Sequence, residues 1–445
     1  METVSESRSG SALGGAVSRL SARPDARFLV YVTIGAFVVR LILILSVQRG
    51  NNFAFNDTFF YHSVAAMAAD GKGFSTLDGR PFGQWPPGYV FLLSLVYRLF
   101  GTEPLAGELV NALIGTATVP LIHAVALRAL GTVEARFCAI AMAFLPGQVF
   151  FADVLMSEAM FVLMIVLGLW LIVAREPNLQ TAALFGVLAG LSVLTRGEGP
   201  LMFLMPLAAW WPKISRRQLV ERMAVMGGVA VLCVVPWTLR NQAVFGQFIP
   251  VSTNFGSTFW AGHNPTATGE QTYPPASLTS QAGPSTARFY QIEQSKLLQR
   301  AAVEWIQKNP LKDVSLIPWR LMGMAQGDGD AIYYWVNKTG DGKKPLTKAW
   351  ADRLATIGDI GWYLLLTGFL TSVLVFGRSM IRNSVLRACA AYLTASLMLF
   401  SIVLYGQFRY HIPLEPLMVL MTAPLVAQLL AVRRRRIEAS KAAAT

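Results

Sequence analysis

The sequence predicts an all-α, polytopic membrane protein, and three observations carry that prediction. Of 445 residues, 54% are hydrophobic and only 14% are charged, where a soluble domain carries about a quarter charged residues. The mean hydropathy is +0.46, and apolar runs recur near the length that a helix needs to cross hydrocarbon. The formal net charge is +13, with the Lys and Arg residues gathered between those runs, the pattern of cytoplasmic loops. They form no single basic stripe with interleaved aromatics, which excludes nucleic acid as a partner. The three cysteines, Cys138, Cys233 and Cys389, sit in apolar runs and make no disulfide framework. The four histidines, His62, His123, His263 and His411, are too dispersed to assign a metal site, and no cofactor is assigned.

Residues 1–27 are Ser-rich with Arg8, Arg19, Arg23 and Arg27, and read as a disordered cytoplasmic tail. Phe28–Val47 is the first span, long enough at about 1.5 Å per residue; it lacks a small-residue cleavage site and reads as a retained anchor. With the basic tail inside, the loop Gln48–Gly88 lies outside. Pro86–Gly101 is short for a crossing and reads as a half-helix on the outer face. Further runs follow at Leu105–Leu127, Val133–Phe151, Val154–Ala174, Thr181–Leu194, Pro200–Trp211, Ala224–Leu239, Ile357–Phe376, Ala388–Tyr405 and Pro413–Val432. If Pro86–Phe100 does not cross, then Arg128, Arg136, Arg175, Lys213, Arg378, Arg387 and Arg433–Arg436 all fall inside. The prediction is therefore ten full spans plus one outer half-helix, with eleven full spans as the alternative.

The expected organisation is a tail (1–27), a transmembrane module including the outer loop 48–88 (28–239), an outer-face cap (240–356), C-terminal membrane helices (357–432) and a basic cytoplasmic tail (433–445). Within the cap, an amphipathic pattern over Ala287–Lys308 predicts a helix.

Candidate chemistry collects on the predicted outer face. Asp57 is flanked by Asn56, Phe59, Phe60, Tyr61 and His62; it reads either as a general base or as a cap of the helix that follows. Asp153 and Glu158 stand where one run ends and the next begins, either as caps and interfacial hydration or as a second carboxylate of a site. Arg196 and Glu198, in LTRGEGP, either cap two spans as an ion pair or let Arg196 reach a site. Arg240, in PWTLRNQAVFG, and Arg409, Tyr410 and His411, in GQFRYHIP, break the inside preference of arginine. A guanidinium among aromatics at a membrane surface suits a lipid-linked phosphate; the other reading is snorkelling to headgroups. Arg40, inside the first span, is read as pairing with Glu108.

Six segments in order resemble a known family. They are NDTFFYHSVAAMAADGKGF, WPPGYVFLLSLVYRLFG, FFADVLMSEAMF, LSVLTRGEGPLMF, VPWTLRNQAVFGQFIPVSTNFGSTFWAGHNPTATGE and GQFRYHIPLEPLMVL. Together they are similar to bacterial GT-C glycosyltransferases related to protein O-mannosyltransferases and to aminoarabinose lipid A transferase. The resemblance covers nearly everything from Phe28 to Val432. It implies the GT-C fold and a bacterial inner-membrane enzyme, working on the periplasmic side. Such an enzyme moves a sugar from a polyprenyl-phosphate donor to a cell-envelope acceptor (lipid, polysaccharide or protein). The family's first-loop aspartate is matched by Asp57, and a second acidic position by Asp153 or Glu158. Relatives that modify lipid A carry Lys before the paired prolines, where this chain has Trp85; Lys72, Arg240 or Arg409 then takes the carrier phosphate. The expected site is thus Asp57, Asp153 and Glu158 for catalysis. Tyr61, His62, Lys72, Arg196, Arg240, Asn254, Arg409, Tyr410 and His411 are expected for donor and substrate binding. The rival readings are a lipid-linked sugar flippase, which needs charges at mid-span where these spans carry few, and a non-catalytic envelope-assembly protein.

Overall fold

The computed structural model describes residues 24–47, 56–152, 154–337 and 346–444. Asp153, residues 48–55 of the first loop and the tail up to residue 23 lie outside the described residues. All regular structure among the described residues is helical; an isolated bridge joins Ser75 to Pro81. The first half contains α1 (Pro24–Ser46), α2 (Asn56–Ala69), α3 (Gly88–Phe100), α4 (Pro104–Ala129), α5 (Thr132–Phe144), α6 (Pro146–Phe150), α7 (Glu158–Ala174), α8 (Leu179–Val193), α9 (Leu204–Trp210) and α10 (Arg216–Phe245). Short helices follow: α11 (Phe255–Gly262), α12 (Ala276–Thr279), α13 (Tyr290–Lys308), α14 (Pro310–Ser315), α15 (Ile317–Ala325) and α16 (Gly329–Asn337). The chain then runs through α17 (Lys348–Met380), α18 (Ser384–Met398) and α19 (Glu415–Ala444). Residues 24–27, expected in the tail, belong to α1.

Six stretches are long and apolar enough to cross a membrane: Asp25–Ser46, Pro104–Ala129, Arg216–Phe245, Lys348–Met380, Ser384–Val403 and Phe408–Ala442. The chain is a multi-pass membrane protein. Four expected runs form shorter apolar helices, Gly88–Phe100, Glu158–Ala174, Leu179–Val193 and Gly199–Trp210. With 13 residues, α3 spans about 20 Å at 1.5 Å per residue, short of a hydrocarbon core of about 30 Å.

The run Val133–Phe151 is not one helix. It stops at Phe144, Leu145 is extended, and α6 restarts at Pro146. Pro146 has no N–H for the Met142 carbonyl and pushes the preceding residue out of the helical region. Arg40 fills the gap. Its guanidinium donates to the carbonyls of Met142 (3.1 Å), Ala143 (3.0 Å), Ala36 (3.0 Å) and Gln148 (3.4 Å). The expected Arg40–Glu108 pair is therefore replaced by backbone contacts, which a lipid environment demands because no water can satisfy those carbonyls.

At the centre, α4 packs against α1, α3, α5 and α7. On one flank α8 lies against α10. A Cβ at Gly186 would stand 2.6 Å from the Met226 carbonyl oxygen, and one at Gly190 would stand 2.7 Å from Cys233 Cβ. Small residues set that approach, as expected where apolar lipid offers no hydrophobic drive between helices. On the other flank α19 packs on α17 and α5.

The helix predicted from the amphipathic pattern is α13. It buries Ile292, Leu298, Ala302 and Trp305 on one face and packs on α11. Fully buried Arg320 pairs with Asp313 and donates to the carbonyls of Gly262 (2.9 Å) and Ser401 (3.1 Å). That ties the short helices to the end of α18, where the chain widens into a π-turn over Leu399–Val403.

Candidate functional site

Asp57 lies in the first turn of α2, where the helix dipole favours a carboxylate. From the far end of the sequence, a single 3-10 turn, Phe408–Tyr410, brings Arg409 to it. Arg409 Nη1 donates to Asp57 Oδ2 at 2.7 Å, and Arg409 Nε donates to Gln407 Oε1 at 3.0 Å. The Tyr410 ring stacks on Phe400 of the π-turn, with centroids 4.2 Å apart.

A second ion cluster faces this pair. Glu158, the first residue of α7, is fully buried. Arg196 follows α8 and places Nη1 2.8 Å from Glu158 Oε1 and Nη2 3.0 Å from Glu198 Oε1. Nη1 also donates to Ser157 Oγ at 3.3 Å. Burial works against the Arg196 charge, but the two carboxylates outweigh it and hold the guanidinium above the ordinary arginine range. Arg196 thus pairs with Glu198 and also lines the cavity beside Asp57.

Between the clusters is a cavity of about 260 Å³. Asp57, Tyr61, Glu158, Arg196, Asn254 and Arg409 give it a polar, charged wall. Trp85, Phe255, Leu399, Phe400 and Leu404 give it an apolar one. Trp85, in the position before the paired prolines, stacks on Phe82 at 5.3 Å. Burial, reinforced by the Asp57 charge, pushes the Tyr61 phenol above its ordinary range, so it stays a hydroxyl donor.

Residues 84–239, about a third of the chain, match the family model of dolichyl-phosphate-mannose-protein mannosyltransferases. The archaeal oligosaccharyltransferase AglB from Archaeoglobus fulgidus, solved with an inhibitory peptide and a dolichol-phosphate, matches with a TM-score of 0.51 at 14% identity, over 92% of this chain and 52% of AglB. The fold is that of the GT-C glycosyltransferases. This chain spans about half the length of AglB. ArnT from Cupriavidus metallidurans, solved with undecaprenyl phosphate, is also similar, with a TM-score of 0.44 at 16% identity, over 86% of this chain and 77% of ArnT. Among curated protein sequences, none matches.

Within this GT-C framework, four expected site residues point elsewhere. Arg240 donates to the carbonyls of Phe74 and Phe82, each at 3.0 Å, and stacks on Trp237 at 4.7 Å; it holds the loop that precedes α3. His62 contacts the Tyr97 hydroxyl at 2.7 Å, and burial lowers its pKa to about 4. Lys72 is exposed and pairs with Asp70 at 3.2 Å. His411 faces away from Arg409, with Nε2 2.9 Å from Asp328 Oδ1. The apolar wall from the π-turn was not foreseen, because its residues read in the sequence as the end of an ordinary span. Nor was the meeting of Asp328, His411 and Glu415, which among the described residues form a buried group with metal-ligand make-up. A larger cavity, about 370 Å³, is lined by Arg128, Arg175, Lys213 and Asn383 among others. Arg128, Arg175 and Lys213 fall on the predicted inside, and their chemistry suits anionic headgroups rather than acid–base work.

Proposed function

We propose that the chain transfers a sugar from a polyprenyl-phosphate donor to a cell-envelope acceptor at the periplasmic side of a bacterial inner membrane. The observation that carries this reading is the cavity in which an Asp57–Arg409 pair faces Glu158 and Arg196 across an apolar wall. A lipid-linked sugar needs such a place: a carboxylate for the acceptor, guanidinium groups for the phosphate and an apolar flank for the first isoprene units. The dolichol-phosphate held by AglB is the same class of ligand.

In the proposed reaction the acceptor hydroxyl oxygen attacks the anomeric carbon. The bond from that carbon to the phosphate oxygen breaks, and its electron pair leaves with the lipid phosphate. The hydroxyl proton passes to Asp57. Arg409, with Arg196 behind it, meets the charge that develops on the phosphate, the task for which a planar, permanently charged fork is suited. Arg409 therefore has two partners in turn. In this structure it holds Asp57; a donor phosphate would compete for the guanidinium and release the carboxylate to act as base. Arg240 and His411 have no part in donor binding in this scheme, because neither lines the cavity. Asn254 and Tyr61 stand where hydroxyls of the sugar would be recognised.

The test is a transfer assay on purified protein in proteoliposomes, with a panel of radiolabelled polyprenyl-phosphate sugars and a crude envelope extract as acceptor. Transfer by wild type and none by Asp57→Asn supports the reading. Lipid movement across the bilayer without transfer for any donor replaces it with a flippase.

A further inference from the structure

We propose that Asp328, His411 and Glu415 bind a divalent transition-metal ion of the zinc class, and that this ion anchors the turn carrying Arg409. The inference does not depend on the transfer reading.

The argument begins with the imidazole. His411 Nδ1 lies 2.8 Å from the Met324 carbonyl oxygen. A carbonyl only accepts, so Nδ1 carries the hydrogen. In the neutral ring the lone pair is then on Nε2, and Nε2 lies 2.9 Å from Asp328 Oδ1. Two lone pairs at that distance require a proton between them, on the ring or on the carboxyl, or a metal ion.

The carboxylates favour the ion, because a single ion serves every one of these atoms at once. Asp328 and Glu415 are 1% and 0% exposed. Asp328 Oδ2 and Glu415 Oε1 have no hydrogen-bond partner among the described residues, a costly state for buried oxygens. A ring proton answers only Oδ1 of Asp328, and the two orphan oxygens then need a further proton between them. A divalent ion with a neutral imidazole and two carboxylates is charge-neutral and takes up the orphan oxygens.

The geometry leaves room for the ion. One ligand atom from each residue can be chosen so that all lie within 4.8 Å of one another. The orphan oxygens converge on Gly147: a Cβ there would stand 2.7 Å from Glu415 Oε1 and 2.8 Å from Asp328 Oδ2. The absent methyl is what keeps the space between them open.

The surroundings resemble the outer shell of a metal site. The imidazole N–H, on Nδ1, rests on a backbone carbonyl. Gln148 Nε2 donates to Glu415 Oε2 at 2.7 Å and to the Ile412 carbonyl at 2.9 Å. The His411 ring lies flat on Trp362, with centroids 3.5 Å apart. One nitrogen and carboxylate oxygens, without a thiolate, suit zinc better than copper(I), and the imidazole disfavours magnesium and calcium. The ligands come from the start of α16, the turn after Arg409 and the start of α19, so an ion would cross-link three segments.

The experiment uses full-length protein in detergent, stripped with chelator, with any affinity tag removed and zinc returned by dialysis. We expect one zinc per chain by elemental analysis, a rise in the thermal unfolding midpoint on adding zinc, and visible absorption bands when cobalt(II) replaces it. Gly147→Ala keeps all three ligands but fills the space, and should lower zinc affinity at least tenfold; Asp328→Asn should do the same. Wild-type protein that takes up neither zinc nor cobalt overturns the proposal, whatever the variants do. So does folded Gly147→Ala or Asp328→Asn with unchanged zinc affinity, because the ion would then sit elsewhere.

Discussion

Asp57 Oδ2 and Arg409 Nη1 meet at 2.7 Å across 352 positions of sequence. The contact joins the first turn of α2 to a 3-10 turn just before the last helix. Both side chains are largely buried, at 24% and 17% exposure. Such a pair is strongly coupled: removing one partner leaves the other charge in a poor solvent, typically at a cost of about 3–5 kcal/mol when burial is complete. Substitutions at the two positions should therefore be made to preserve size and read as kinetics.

For Asp57→Asn, the turnover of the proposed transfer should fall by about 10²–10⁴-fold, the usual worth of a positioned base. Donor KM should fall, because the phosphate no longer competes with a carboxylate for Arg409. For Arg409→Lys, the charge stays but the planar fork is lost, so donor KM should rise about tenfold. Steady-state kinetics with a single labelled donor separates the two. An Asp57→Asn enzyme that changes only KM would remove Asp57 as base.

Arg240 should behave differently from Arg409. Its guanidinium is committed to the Phe74 and Phe82 carbonyls, and hydrogen bonds from charged donors are worth about 1.5–3 kcal/mol each. Arg240→Ala should lower the thermal unfolding midpoint by several degrees. Donor KM should rise far less than in Arg409→Ala, measured side by side in the same detergent. A larger KM effect at Arg240 would return it to the donor site.

His62 supplies a prediction about pH. Burial lowers its pKa from 6.5 to about 4. The unfolded chain therefore binds more protons than the folded one between those values, and stability rises with pH across that window. The contribution is fully present above about 6.5 and is lost as pH falls toward 4. His62→Gln should show a shallower loss of unfolding midpoint between pH 7 and 4.5 than wild type. At neutral pH the histidine is uncharged, so the activity profile above pH 6 should be the same in both.

The fold was legible because a bilayer leaves few choices. Backbone groups in lipid must be satisfied within helices, and long apolar runs announce them. Asp57, Arg196 and Arg409 were legible one at a time, since charges at span ends are expensive to keep. Their partners were not. Arg240 and Arg409 look alike in sequence, each beside aromatics after an apolar run. What separates them is the opposing surface, two loop carbonyls in one case and a carboxylate in the other. His411 and Arg409 are near neighbours in sequence, yet a 3-10 turn rotates each residue by about 120°, which sends the two side chains to different partners. Asp328 carried no local signal, because its role depends on residues more than eighty positions away.

The break before Pro146 has a signal in the proline, but the run stays apolar through it and so reads as continuous. Its partner is Arg40, and the two should be energetically coupled. Arg40→Met leaves the Met142 and Ala143 carbonyls without their donors, and an unsatisfied buried carbonyl costs about 1–3 kcal/mol. Pro146→Ala restores an N–H that can reach the Met142 carbonyl and continue the helix. The loss of unfolding midpoint caused by Arg40→Met should therefore be smaller in the Pro146→Ala background than in wild type. A double-mutant cycle on the purified proteins measures this directly. Equal losses in both backgrounds would mean that Arg40 supports the fold through its contacts with Ala36 and Gln148, not by closing the gap that the proline opens.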